Sequence, residues 1–240
     1  MNKNGYFLNL LKLDVEKYPV IAVVGGGGKT SLIYRLNEEL QAMGKKVIIS
    51  TTTHMAYDPG LPLVRSTELG KVSEILEKHG FAAVADVEES SGKLCSIDGT
   101  QLQRLVSFCD VMLIEADGAK HMPLKVPADW EPVIPDFADV VVSVIGLDCL
   151  GKPICKTAHR AEYTSAFLKK NLDAPVTEED IEKIATSVHG LYKNVEHKVY
   201  RVYLNKADVL PDRRPAQHIV EDLEKQGTIA AYGSLKEAEK

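Results

Sequence analysis

The chain has 240 residues, a formal net charge of -5 at pH 7 and a hydrophobic fraction of 45%, enough to bury a sizeable core and too apolar for a disordered chain. Its mild acidity, with no basic block, gives no electrostatic case for binding nucleic acid or a membrane surface. No apolar run approaches the roughly 20 residues needed to span a bilayer.

The apolar residues near the N-terminus are interrupted by Asn9, Lys12 and Asp14, and no signal-peptide cleavage pattern follows; the expectation is a cytoplasmic protein. Tyr6 to Leu13 reads as a short amphipathic helix. Val20 to Val24 is a continuous apolar run between Pro19 and a set of glycines, as in a strand buried on both faces. Lys29 to Met43 has helical periodicity through Leu32, Ile33, Leu36 and Leu40 and stops at Gly44. Val47 to Ser50 is the next strand. Helix is then predicted over Thr67 to Lys78, strand over Phe81 to Ala85, part of a hairpin over Lys93 to Ile97, and helix over Gln101 to Ser107. Val111 to Glu115, Val140 to Ile145 and Val199 to Leu204 read as further buried strands, with Ile229 to Tyr232 as a short last one. Helices fall near Arg160 to Lys170 and over Glu178 to Val188, the second with Thr177 as its N-cap and three acidic residues on its first turn.

Strands alternating with helices predict an α/β fold, a doubly wound, mostly parallel sheet of the P-loop NTPase type. The expectation is a single domain over the whole chain, with a small helical insertion at about 150–198. In such a sheet the ligand lies at the carboxyl ends of the strands, and each motif below follows a strand.

The first is Gly25, Gly26, Gly27, Gly28, Lys29, Thr30 and Ser31, in the order strand, glycine loop, helix. Glycines let successive amides turn toward phosphate oxygens, and the helix N-terminus adds positive potential. Lys29 would reach the β- and γ-phosphates, and the Thr30 hydroxyl would hold Mg²⁺. The loop departs from the G-x-x-x-x-G-K-[ST] pattern, because Val23 stands where the first glycine belongs. A glycine turn without ligand is the competing reading.

The second motif is Glu115-Ala-Asp117-Gly118 at the end of a buried strand. One carboxylate here would hold the metal and the other orient water, with the Gly118 amide facing a γ-phosphate; the residue types do not divide the roles between Glu115 and Asp117. An Asp-Gly surface turn is the bland alternative. The third motif is Asn205-Lys206-Ala207-Asp208. The Asp208 carboxylate would accept hydrogen bonds from guanine N1–H and its amino group, which adenine cannot supply, so the nucleotide is read as GTP rather than ATP. Ala231 to Ser234 follow the last strand, where a second base-contacting loop would lie. After the second strand, Thr51, Thr52, Thr53 and His54 form a hydroxyl-rich loop; Thr52 and Thr53 are candidate polar contacts, while His54 reads equally as a functional and as a solvated residue.

The segments VVGGGGKTS, STTTHM, EADGAKHMPLKVP, VIGLDCLGKPI with the following His159-Arg160, and LNKAD together resemble the YqeC family, accessory proteins for selenium-dependent molybdenum hydroxylases. That family looks like a branch of the P-loop NTPases that includes the assembly GTPases for urease and hydrogenase metallocentres. The resemblance implies a role in maturing a selenium-containing molybdenum cofactor, with a molybdenum hydroxylase or its cofactor intermediate as partner; a homodimer follows only by analogy with the assembly GTPases. Carried over by position, Lys120, Lys125, His159 and Arg160 become candidates for an anion or partner site, and Asp148 for an approach to the same place. For each lysine singly, an exposed loop position reads at least as well. The four cysteines form no C-x-x-C pair and are expected as free thiols. Cys149 and Cys155 raise a selenide or persulfide carrier, against the commoner role of small buried hydrophobes.

Three functions follow. The leading one is a slow, Mg²⁺-dependent GTPase acting as an assembly factor. The alternatives are an ATP-dependent small-molecule kinase and a nucleotide-binding cofactor chaperone without catalysis.

Overall fold

The computed structural model describes residues 5–236. In the first half the elements are α1 (Tyr6–Leu10), β1 (Val20–Gly25), α2 (Lys29–Ala42), β2 (Val47–Thr51), β3 (His54–Met55), β4 (Leu63–Val64), α3 (Val72–His79), β5 (Phe81–Val84), β6 (Asp86–Glu88), β7 (Lys93–Cys95), α4 (Gly99–Leu105) and β8 (Val111–Glu115). In the second half they are β9 (Leu124–Lys125), β10 (Val140–Gly146), α5 (Ile154–Thr157), β11 (Ala158–His159), α6 (Ala161–Leu168), α7 (Glu178–Thr186), β12 (Val199–Asn205), α8 (Arg214–Lys225) and β13 (Ile229–Tyr232).

The main sheet has the order β13-β12-β10-β1-β8-β2-β5-β4. The pairs β1–β8, β8–β2, β2–β5, β5–β4 and β12–β13 are all parallel, so the α/β, mostly parallel expectation holds. β1, β2, β8 and β10 are buried at every residue, which is why they are unbroken apolar runs rather than alternating ones. The described residues divide into two compact units.

The first unit holds residues 5–23, 30–117 and 133–140. Its strand register sets Val23, Glu115 and Thr51 side by side at the carboxyl ends of β1, β8 and β2. Leu32, Ile33, Leu36 and Leu40 of α2 are fully buried, the apolar stripe of an amphipathic helix. The predicted helix over Thr67 to Lys78 starts later than expected. Residues Ser66–Lys71 form a 3₁₀ turn in which Glu68 leaves helical geometry (φ -124°), and the α-helix begins at Val72. Helix α4 begins at Gly99 because the Asp98 carboxylate accepts from the Thr100 and Gln101 amides. The predicted hairpin at Lys93 is the middle strand of a small antiparallel sheet, β3-β7-β6.

The second unit holds residues 24–29, 118–132 and 141–236. Helix α8 was not foreseen. It is largely polar, yet Ala216, Ile219, Val220 and Leu223 keep the i, i+3, i+4, i+7 spacing of an amphipathic helix. Ala216, Ile219 and Leu223 are buried, so the sequence carried a signal that the expectation overlooked. Helix α7 ends two residues short of the expected Val188. At its start Thr177 and Asp180 form a reciprocal capping box, which satisfies two amides that the helix leaves without partners. The buried Tyr200 hydroxyl bridges the Ala185 carbonyl (2.7 Å) and the Ser143 hydroxyl (2.9 Å), which ties α7 to β10 and β12. β9 and β11 pair in parallel and set His159 beside Lys125.

Replacing Thr177 with Ala removes the N-cap acceptor while leaving the buried face of α7 intact. The expected loss is about 1 kcal/mol of stability, read as a lowered melting midpoint by circular dichroism with nucleotide binding unchanged. An unaltered midpoint would show that the cap contributes nothing.

Candidate functional site

In the second unit the glycine loop lies on other backbone. A Cβ added at Gly27 would sit 2.3 Å from the Gly146 amide nitrogen, and one at Gly25 would sit 2.3 Å from the Val144 carbonyl oxygen. Both residues also have positive φ, +91° and +76° for Gly25 and Gly27, which side chains disfavour. The Gly26 amide donates to Val144 O (2.8 Å) and the Gly27 amide to Met122 O (3.0 Å). The reading of successive amides turned to phosphate therefore needs revising for these two: they hold the loop in place. The first amides of a helix find no acceptor within it, so the head of α2 is where an anion would be favoured. β1 runs on to Gly25, past the Val23 position where the usual loop has its first glycine. The Lys29 ammonium is buried and donates to the Gly25 carbonyl (3.0 Å).

The base-reading motif is bonded to this loop. Asn205 Nδ2 donates to Gly27 O (2.7 Å), and Asn205 Oδ1 accepts from the Leu235 amide (3.2 Å). The Ala207 amide donates to Gly233 O and the Gly233 amide to Leu204 O, so the segment after β13 lies against the NKAD turn. Lys206, in the left-handed region, pairs with Asp148 Oδ2 (2.7 Å). The Asp208 side chain is exposed. Asp148, read as approaching the Lys120 and Lys125 site, is instead paired with Lys206 of the motif that follows β12.

In the first unit the Thr30 hydroxyl donates to Glu115 Oε2 (2.5 Å). The Glu115 carbonyl accepts from the Thr51 hydroxyl (2.9 Å) and the Thr52 amide (3.1 Å), and the Thr52 hydroxyl donates to Val133 O (2.6 Å). Glu115 and Asp117 are both buried. The Thr53 hydroxyl is buried with no hydrogen-bond partner among the described residues. His54 is exposed and lies 3.5 Å from Glu88, and Ser31 is exposed on α2. Sequence reasoning missed Tyr34, one turn after Thr30. Its hydroxyl is buried, and burial together with the charges of Asp58 and Glu115 pushes the phenol up to about 12. The four-residue spacing from Thr30 was the available signal.

Thr30 and Glu115 supply oxygen donors only. This hard set fits Mg²⁺, which is commonly held by one or two protein groups, nucleotide phosphates and water. No group of three or more His, Cys, Asp or Glu suited to a metal ion occurs among the described residues, so a transition-metal cage of such ligands is not part of this picture.

The candidate cations from the EADG…PLKVP segment divide. Lys120 is exposed. Lys125 is fully buried, and its ammonium donates to Gly118 O (2.7 Å) and Glu131 Oε2 (2.9 Å). It was a candidate for an anion or partner site, with an exposed loop position reading at least as well; the structure buries it against a carboxylate that nothing in the sequence singled out. Arg160 joins the same oxygen (2.6 Å). His159 sits beside them, and burial with repulsion from Lys125 and Arg160 lowers it to about 4. The thiols are free. Burial pushes Cys149 up to about 12, and burial with the neighbouring Asp173 raises Cys155; neither is poised as a thiolate.

The family described as "YqeC protein" matches residues 21–162. The chain is also 31% identical, over 245 aligned positions, to the "Uncharacterized protein YqeC" of Escherichia coli (strain K12), covering 95% of this chain and 92% of that protein. The chain belongs to the YqeC family. Among solved structures it is similar to the hydrogenase maturation factor HypB from Archaeoglobus fulgidus, with a TM-score of 0.41 and 14% identity, covering 92% of this chain and 88% of that one. The match to the YqeC family takes in the glycine loop, the threonine loop, Glu115, Asp117, Lys125, Asp148, His159 and Arg160, and stops before Asn205. The NKAD motif therefore stands on its own geometry. No helix of the described residues is long and apolar enough to cross a membrane.

His159 makes a pH prediction. An unfolded histidine titrates near 6.5 and the folded one near 4, so between those values the unfolded chain binds more protons and stability falls as pH falls. Glu131, held low by its hydrogen bonds from Lys125 and Arg160, adds its own loss as pH falls through the ordinary carboxylate value and below, and that loss is common to the native and His159→Gln chains. Urea midpoints at pH 7 and pH 5 should drop more for the native chain than for His159→Gln. Equal drops would refute a buried, neutral His159.

Proposed function

We propose that this protein binds GTP with Mg²⁺ and hydrolyses it slowly, as a factor in maturing the cofactor of a selenium-dependent molybdenum hydroxylase. The nucleotide half of this reading rests on one observation above the others: Asn205 of the NKAD turn is hydrogen-bonded to Gly27 of the glycine loop. A phosphate-binding loop and a base-binding turn are thereby held at a fixed mutual distance, as one nucleotide requires. The maturation half rests on membership of the family.

In this reading the amides at the head of α2 and the Lys29 ammonium bind phosphate. Lys29 reaches it by leaving the Gly25 carbonyl. Thr30 and Glu115 would hold Mg²⁺, which would supply neutralisation of phosphate charge. Glu115 faces Thr30, and Asp117, buried two residues on, is assigned the orientation of the attacking water. Gly118 offers its amide to the γ-phosphate, and Thr52 and Thr53 contribute hydroxyls. Asp208, exposed at the turn, accepts from the guanine edge, and Lys206 packs along the base. The kinase reading needs ATP, which leaves Asp208 without its donors, and the pure chaperone reading needs no water-orienting carboxylate. A homodimer remains part of the proposal only by analogy.

Titration with fluorescent GTP and ATP analogues, with and without Mg²⁺, tests this. GTP should bind more than about tenfold tighter than ATP, and the preference should vanish in Asp208→Ala. Thr30→Ala should lose the Mg²⁺ dependence. Equal or tighter ATP binding would remove the guanine claim and favour the kinase; no binding of either would remove the whole reading.

A further inference from the structure

We infer that Lys125, Glu131 and Arg160 form a relay that carries the state of the phosphate loop to the exposed face of Trp130. Each link lies within the second unit. The Gly27 amide of the glycine loop donates to Met122 O (3.0 Å), and the Gly146 amide donates to Pro123 O (2.9 Å), so the segment 118–125 is bonded to the loop and to the backbone that supports it. Lys125 closes that segment on itself through Gly118 O (2.7 Å) and pairs with Glu131 Oε2 (2.9 Å). The same oxygen accepts from the Ala128 amide (3.2 Å) and from Arg160 Nη1 (2.6 Å). The Arg160 guanidinium lies over the Trp130 ring, 5.4 Å from its centroid, and Trp130 is 64% exposed.

Two features make this a relay rather than a static brace. One carboxylate oxygen serves three donors, so a shift of Lys125 changes what Arg160 meets at the same atom. The inner end is also sealed: Lys125 has no exposure to water that could absorb such a shift. The outer end is open, and an indole stacked with a guanidinium responds to a change in the cation's position. The relay rests on the nucleotide reading above, since it needs phosphate to displace the turn around Gly118 and Met122. Lys125, Glu131 and Arg160 are positioning residues in this account, and none touches the nucleotide.

Trp130 is the single tryptophan of the chain, so intrinsic emission reports this place alone. The full chain is titrated with Mg²⁺ and either GDP or the β,γ-imido analogue of GTP, following emission, while calorimetry measures nucleotide affinity separately. The expected result is an emission change that differs between diphosphate and triphosphate. Arg160→Gln, which removes only the outer link, should retain affinity and lose that difference; Glu131→Gln should do the same if it folds, as circular dichroism will show. Nucleotide binding with silent Trp130 emission overturns the relay and leaves the nucleotide reading intact, as does a difference that persists in Arg160→Gln. Absence of binding in the calorimeter overturns both.

Discussion

At the glycine loop, backbone rests on backbone. The Gly25 and Gly27 Cα atoms approach Val144 and Gly146 so closely that no side chain fits, and the amides of Gly26 and Gly27 are used in holding the loop there. The other parts of the second unit are arranged around that contact. Met122 and Pro123 reach the loop and β10 through their carbonyls, and Asn205 reaches it through its side chain. The contact fixes where the loop lies against β10, Met122 and Asn205.

The first unit solves a related problem by other means. Register places Thr51 beside Glu115, and the Glu115 carbonyl collects the Thr51 hydroxyl and the Thr52 amide. The threonine loop is thus anchored to the residue whose carboxylate faces Thr30. A change at the carboxylate and a change at the threonine loop are then mechanically linked through one residue. Tyr34 belongs to the same neighbourhood: its buried hydroxyl has no hydrogen-bond partner among the described residues, which is costly unless something donates to it or accepts from it. The charges of Asp58 and Glu115 add to burial in holding its proton.

What was legible in the sequence follows from range. β1, β2, β8, β10 and β12 are runs of apolar residues bounded by glycine, proline or charge, so each announces itself locally. The GGGGKTS, EADG and NKAD segments stand at strand ends for the same reason, and so could be placed without knowing any contact. Helix α8 was legible through the spacing of Ala216, Ile219, Val220 and Leu223 and was overlooked, whereas the 3₁₀ entry to α3 buries no residue and breaks at Glu68, which no local pattern marks. Glu131 was invisible for a different reason. Nothing within a few residues distinguishes a carboxylate in Asp-Trp-Glu-Pro from a solvated one; only the pairing of β9 with β11 brings Arg160 and Lys125 to the same oxygen. The burial of Lys125 was hidden in the same way, since a lysine beside a proline loop reads as exposed until its partner is known.

Charge is therefore deployed unevenly in the second unit. Lys125, Arg160 and His159 crowd one carboxylate, and the imidazole gives up its proton there, as expected where cations outnumber the anions that face them. The thiols that the sequence offered as soft nucleophiles lie in the opposite situation: Cys149 is sealed in apolar surroundings, and Cys155 faces the carboxylate of Asp173. Both surroundings favour the protonated thiol. To act as nucleophiles, these sulfurs would have to lose a proton against their environment.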